Sequence, residues 1–267
     1  MDLALRPDRW PFSLEKWYID VLLPDGTVLL VYFGRMRLLG VPFARVTAEL
    51  FRPGEPVIRS DAPATRIEGS EDRLEFGPAT IEGECLTFTL PGLRGELRYR
   101  PRHAPITLRD PFLTEGDRSL IWNVEIPDSD VEGEVSWPGG AMPLVGRGYR
   151  DRVWFDLLPW RFPIQELRWG RAVAQDHAAT WVEAQTAKNL VVAGWSSEAA
   201  VVPTRPALGA DRELLSSAVA DLEGLRFGWL RPVLRRISGD PREVKWAATA
   251  QLSGSEGVAI HEVVRWG

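Results

Sequence analysis

Between Gly146 and Trp154 the chain reads Gly146-Arg147-Gly148-Tyr149-Arg150-Asp151-Arg152-Val153-Trp154, and Trp169-Gly170-Arg171 follows shortly. A carboxyl, a phenol and several indoles are crowded into these few residues. An Asp beside a Tyr in an apolar pocket has its charged form disfavoured by desolvation. Such a group keeps its proton near neutrality and works as a general acid. Indole faces nearby stabilise a developing carbocation through their quadrupole. Together these groups suit proton-initiated chemistry on an isolated alkene: hydration, double-bond migration or cyclisation. The competing structural reading is a Gly-x-Gly turn leading into an edge strand. There Asp151 would pair with Arg147, Arg150, Arg152 or Arg171, which lowers its pKa and removes it as an acid.

The other catalytic vocabulary is missing. His103, His177 and His261 lie far apart without ligand spacing, so no metal site is expected. There is no Gly-x-Ser-x-Gly elbow and no phosphate-binding Gly-x-x-x-x-Gly-Lys loop. Gly146-x-Gly148 lacks the third glycine of the dinucleotide fingerprint and opens no helix. The expectation is chemistry without a cofactor.

The length, 267 residues, suits one large all-β domain or two smaller ones. Hydrophobic residues make up 45% and charged ones 26%, enough to bury a substantial core. The net charge of −5, with no basic block, argues against a nucleic-acid partner. Cys85 is the only cysteine and forms no intrachain disulfide. The first residues carry charges and Pro7 where a signal peptide would be apolar, and the run Val28–Phe33 is too short to span a bilayer. These features give the expectation of a cytoplasmic protein with no integral membrane segment. Peripheral contact with a membrane stays open where the substrate is a lipid, and the oligomeric state is not readable. The composition holds 12 Trp against 4 Tyr. Such a surplus fills large inter-sheet cores, or builds aromatic walls around an apolar or cationic ligand.

Strands must position these groups. Trp17–Leu23 and Thr27–Phe33 flank Pro24-Asp25-Gly26, in which Pro fixes φ and Gly supplies positive φ, the signature of a hairpin. Further β-rich runs follow at turn-to-turn spacings of about ten residues, as in a sandwich or barrel. With Gly 24 and Pro 21 there are many turns to place. One helix is expected over Asp211–Ala220, where Leu214, Leu215 and Val219 are read as one face. The Gly-, Asp-, Ser- and Pro-rich stretch Pro127–Pro143 marks the expected boundary between domains at 1–135 and 136–267.

Taken in order, four pieces resemble the carotenoid 1,2-hydratase (hydroxyneurosporene synthase) and AttH-like family of lipocalin-like proteins. Glu15-Lys16-Trp17-Tyr18-Ile19-Asp20 is similar to the family's Glu-Trp-Trp-Tyr-Phe, with Lys16 in place of one Trp. Trp122-Asn123-Val124-Glu125-Ile126-Pro127 resembles its Trp-x-Val-x-x-Pro. Gly146–Trp154 resembles its Gly-x-Gly-Tyr-His-Asp-x-Asn-Trp-Gly, and Trp169-Gly170-Arg171 matches its Trp-Gly-Arg. The resemblance implies two lipocalin-like antiparallel β-barrels packed together, with an apolar cavity near their junction.

It also implies an enzyme acting on an apolar polyene or isoprenoid-type molecule. Tyr149 and Asp151 match the family's acid-motif residues, Asp151 as acid and Tyr149 as orienter or proton relay. Trp122, Trp154, Trp17, Tyr18, Trp169 and Arg171 are the expected substrate-binding set. Two histidines of the family pattern are replaced, by Leu120 and Arg150, so no base to activate water is visible. Proton donation needs none. The alternatives are a cofactor-free pericyclase that folds a polyene, and a non-catalytic carrier of a lipophilic ligand.

Overall fold

The computed structural model describes residues 3–197, 206–218 and 241–266. It is almost entirely β, with two curled antiparallel half-barrel sheets of lipocalin-like form. The chain divides into two units. The first comprises Met1–Pro111 and Leu120–Asp156, the second Phe112–Ser119 and Leu157–Gly267.

The first sheet has twelve strands: β1 (Phe12–Leu22), β2 (Val28–Leu38), β3 (Val41–Phe51), β4 (Ile58–Pro63), β5 (Ile67–Gly69), β6 (Arg73–Phe76), β7 (Ala79–Glu82), β8 (Cys85–Leu90), β9 (Leu93–Pro101), β10 (Ile106–Glu115), β11 (Arg118–Trp137) and β12 (Gly140–Phe155). Their order is β4-β3-β2-β1-β12-β11-β9-β8-β7-β6-β5, with β10 on β11. The β1–β2 hairpin turns on Pro24-Asp25-Gly26 as the sequence indicates. Gly26 takes φ +83°, and Asp25 Oδ1 accepts the Thr27 N–H at 2.8 Å.

Strand alternation sends every second residue to the concave face. Trp17, Ile19 and Val21 of β1 pack there with Val31, Phe33, Ile126 and Val131. Phe76 stacks on Phe33 at 5.4 Å and meets the edge of Trp17 at 6.2 Å. The indole surplus is thus partly spent on cores: Trp17, Trp169 and Trp181 are fully buried.

The second sheet has the order β15-β14-β13-β18-β17-β16, from β13 (Ile164–Ala174), β14 (His177–Thr186), β15 (Leu190–Ser196), β16 (Ala207–Ala218), β17 (Arg242–Leu252) and β18 (Ser255–Arg265). Its core is a small-residue patch of Ala172, Ala248, Ala250 and Ala259 around Trp181.

Three local expectations differ from the structure. The segment expected to be helical is strand as far as Ala218, paired with β17; Val219 and Ala220 lie outside the described residues. The Pro127–Pro143 stretch is the β11–β12 hairpin inside the first unit, turning at Pro138-Gly139. Gly146 and Gly148 form no turn but lie within β12. A Cβ at Gly146 would stand 2.2 Å from the Leu22 carbonyl oxygen, and one at Gly148 2.3 Å from Val131 Cγ2. Close approach of neighbouring chain, not positive φ, demands glycine there.

Candidate active site

The register of β1 on β12 sets which motif side chains can meet. Arg152 lies opposite Trp17 and Arg150 opposite Ile19, while Asp151 lies opposite Tyr18 and Tyr149 opposite Asp20. Because Trp17 and Ile19 belong to the concave core, alternation places Arg150 and Arg152 on that face and Tyr149 and Asp151 on the other. Trp154, opposite Glu15, shares the concave face with Trp17.

On the convex face, Asp151 Oδ2 accepts two hydrogen bonds, from Trp122 Nε1 at 2.9 Å and from the Tyr149 hydroxyl at 3.0 Å. Trp122 comes from β11 and pairs with Val153, the next residue of the same parity. The Tyr18 ring stands 6.1 Å from Tyr149 and 5.5 Å from Tyr32, edge to face in both cases. Asp151, Tyr149 and Trp122 are all buried.

The motif arginines turn to other carboxylates. Arg147 Nε donates to Asp128 at 2.9 Å. Arg150 Nε lies 2.8 Å from Glu125 Oε2, and Arg152 Nε donates to Glu15 Oε1 at 2.7 Å. Glu15 also takes Arg35 Nε at 2.7 Å on its other oxygen. Arg152 lies over the Trp17 ring at 4.7 Å, and Arg6 over Trp154 at 6.0 Å.

The structure therefore gathers four of the expected residues, Asp151, Tyr149, Trp122 and Tyr18, on one face. Trp17 and Trp154 belong to the opposite face of the same strands. Trp169 and Arg171 are fully buried in β13 of the second unit. Gly170 between them accepts the flat of Trp181, which a Cβ would meet at 2.2 Å.

Sequence reading missed Glu125. It stands two residues before Pro127 in β11, where the register slips between Val124 and Ile126. Such a bulge re-aims a side chain, and both Glu125 and Ile126 turn inward. Burial pushes the Glu125 carboxyl above the usual range, against the opposing pull of the neighbouring Arg150, Arg152 and Trp17 indole. The only sequence signal was its place in the Trp122–Pro127 motif.

Among the described residues no cluster of three His, Cys, Asp or Glu side chains is arranged to hold a metal ion, and no helix is long and apolar enough to cross a membrane. His261 stacks on Trp246 at 4.9 Å, and His103 Nε2 lies 4.0 Å from Asp128.

No protein-family model and no curated protein matches the sequence. Solved structures do match in fold. An AttH-like protein from Nitrosomonas europaea superposes with TM-score 0.63 at 13% identity, over 98% of this chain and 97% of that one. CghA with Sch210972 gives TM-score 0.64 at 12% identity, covering 100% of this chain and 95% of that one. Kievitone hydratase from Nectria haematococca gives 0.51 at 10% identity, over 95% and 88%. At these identities the likeness is one of fold: the two-sheet lipocalin-like architecture is shared.

Proposed function

We propose that the protein is a cofactor-free enzyme that protonates an apolar polyene- or isoprenoid-type molecule, with Asp151 as general acid. The observation that carries this reading is the setting of Asp151: a buried carboxyl held by an indole N–H and a phenol. On this reading the acidic proton is carried on Oδ1, while these two bonds end on Oδ2. Transfer of that proton to an alkene carbon leaves a carboxylate whose donors are already in place, as electrostatic preorganisation requires. Loss of a proton from the neighbouring carbon, back to Asp151, quenches the cation and regenerates the acid. The net result is isomerisation, or cyclisation where a second double bond attacks first.

Tyr149 orients the carboxyl, and the faces of Trp122 and Tyr18 provide cation-stabilising π density. The fold shared with a hydratase is consistent with addition to a double bond, but hydration needs a base for water. Loss of both family histidines, at Leu120 and Arg150, favours the water-free outcomes.

The test is turnover of polyene and isoprenoid extracts in D2O with mass spectrometry of the products. A new product carrying carbon-bound deuterium supports proton-initiated chemistry. A new product of unchanged mass replaces it with shape-only pericyclic catalysis. Stoichiometric recovery of a bound, unaltered ligand replaces it with a carrier role.

A further inference from the structure

The β2–β3 hairpin turns on Leu39-Gly40, between the paired residues Leu38 and Val41. Both turn residues have positive φ, 51° at Leu39 and 85° at Gly40. Such a turn favours Asn or Asp at its first position and Gly at its second. Among the described residues, the other non-glycine residues with positive φ are Gln175 and Ser253. Both are exposed and polar. Leu39 combines an unfavourable backbone region with an apolar side chain that is 58% exposed.

Its neighbours are apolar and exposed too. Val41 is 51% exposed and Trp10 69%. Trp10 stands beside the turn: a Cβ on Gly40 would lie 3.7 Å from its Cζ3. Scattered exposed hydrophobics are ordinary, but a contiguous group marks a contact surface. The backbone of this tip is bonded within the protein. Leu39 N–H donates to the Pro11 carbonyl at 2.7 Å, and Arg37 Nη1 donates to the Gly40 carbonyl at 3.2 Å. Entry into a water-poor layer requires such internal pairing.

The charges near the tip are balanced. Arg37 Nε lies 2.8 Å from Asp8, and Arg9 Nη1 3.3 Å from Asp156. The surroundings therefore match a zwitterionic surface rather than an anionic one. Three side chains expose only a few hundred Å2, well short of the roughly 800 Å2 per partner of a stable protein interface. A lipid layer sets no such minimum, and Trp is enriched at its headgroup level.

We propose that Trp10, Leu39 and Val41 form an insertion tip that docks the protein on a neutral lipid bilayer. The tip stands whether or not Asp151 is an acid, because it shares no residue with that site.

The experiment is flotation of the full chain with dioleoylphosphatidylcholine vesicles, on wild type, Leu39→Gly and the double variant Trp10→Ser/Leu39→Gly. Glycine suits the positive φ at position 39, so Leu39→Gly should keep or raise the unfolding midpoint while binding vesicles severalfold more weakly. The double variant should lose about tenfold or more. Wild-type binding should be saturable and unchanged between about 0.1 and 0.5 M salt, since screening acts on charges and not on apolar insertion. Should the double variant not fold, Leu39→Gly alone decides. Absence of wild-type binding, or unchanged binding in Leu39→Gly, would overturn the proposal. So would binding that needs phosphatidylglycerol and disappears in salt, or self-association in solution that Leu39→Gly abolishes, which would assign the tip to a second copy of the chain.

Discussion

Arg150 and Asp151 are consecutive in β12 yet act on opposite faces of the sheet. Arg150 reaches Glu125 on the concave side at 2.8 Å, and Asp151 accepts from Tyr149 and Trp122 on the convex side. One peptide unit thus separates the Arg150–Glu125 ion pair from the carboxyl that accepts the Trp122 indole and the Tyr149 phenol, and strand alternation keeps the two apart.

Asp151→Asn preserves an acceptor for Trp122 and Tyr149 but has no acidic proton. Turnover should fall about 10²–10⁴-fold, the usual share of a general acid, with an unchanged unfolding midpoint. Wild-type rate in this variant would remove Asp151 from the mechanism.

Tyr149→Phe removes the phenol bond to Asp151 Oδ2. If Tyr149 orients the acid, the variant should lose rate without loss of substrate binding, and its pH–rate profile should shift because the carboxylate has lost a donor. A pure loss of stability with an unshifted profile would assign Tyr149 a packing role instead.

Arg150→Met leaves Glu125 buried beside one fewer cation. Breaking a buried pair by removing one partner costs about 3–5 kcal/mol. Adding Glu125→Gln to Arg150→Met should recover most of that loss, as read from urea unfolding of the single and double variants. Simple additivity of the two changes would show that the pair is not coupled.

Glu125 also gives a pH dependence of defined sign. Its folded carboxyl titrates above the ordinary glutamate value of 4.5, so the folded chain holds this proton more tightly than the unfolded chain. The stabilisation is fully present below pH 4.5 and is lost as pH rises through the elevated value. Denaturant midpoints of wild type and Glu125→Gln, followed upward from acid pH, should therefore diverge in favour of the variant. Parallel curves would contradict the assignment.

Gly146→Ala places a Cβ against the Leu22 carbonyl oxygen, which is backbone and cannot turn aside. Overpacking costs typically about 1–3 kcal/mol, and the unfolding midpoint should fall accordingly. Gly83→Ala meets no atom within 4 Å but lies at φ +56°, so its cost comes from backbone strain alone and should be smaller.

Much of this was legible in the chain. Pro24-Asp25-Gly26 carries its hairpin in three residue types, and alternation about Trp17, Ile19 and Val21 names a core face. Three kinds of feature were not. The segment from Asp211 was read as a helix because Leu214, Leu215 and Val219 break the period of two. In β16 the register slips twice, between Leu208 and Asp211 and between Glu213 and Leu215, and each slip shifts the alternation that marks a strand. The same physics hid Glu125, whose inward direction follows from the bulge after Val124. Adjacent aromatic residues also misled: Trp17 and Tyr18 were grouped in one site, although neighbours on a strand face opposite ways. Pro127–Pro143 has the composition of a linker because the β11–β12 hairpin needs a tight turn at Pro138-Gly139.

The bond from Trp122 to Asp151 makes the proposed acid optically observable. An indole whose N–H donates to a carboxyl changes its emission when that carboxyl gains or loses its proton. The fluorescence difference between wild type and Trp122→Phe, followed across pH, therefore isolates one chromophore among twelve. Asp151 carries its own spectroscopic indicator, usable before any substrate is known.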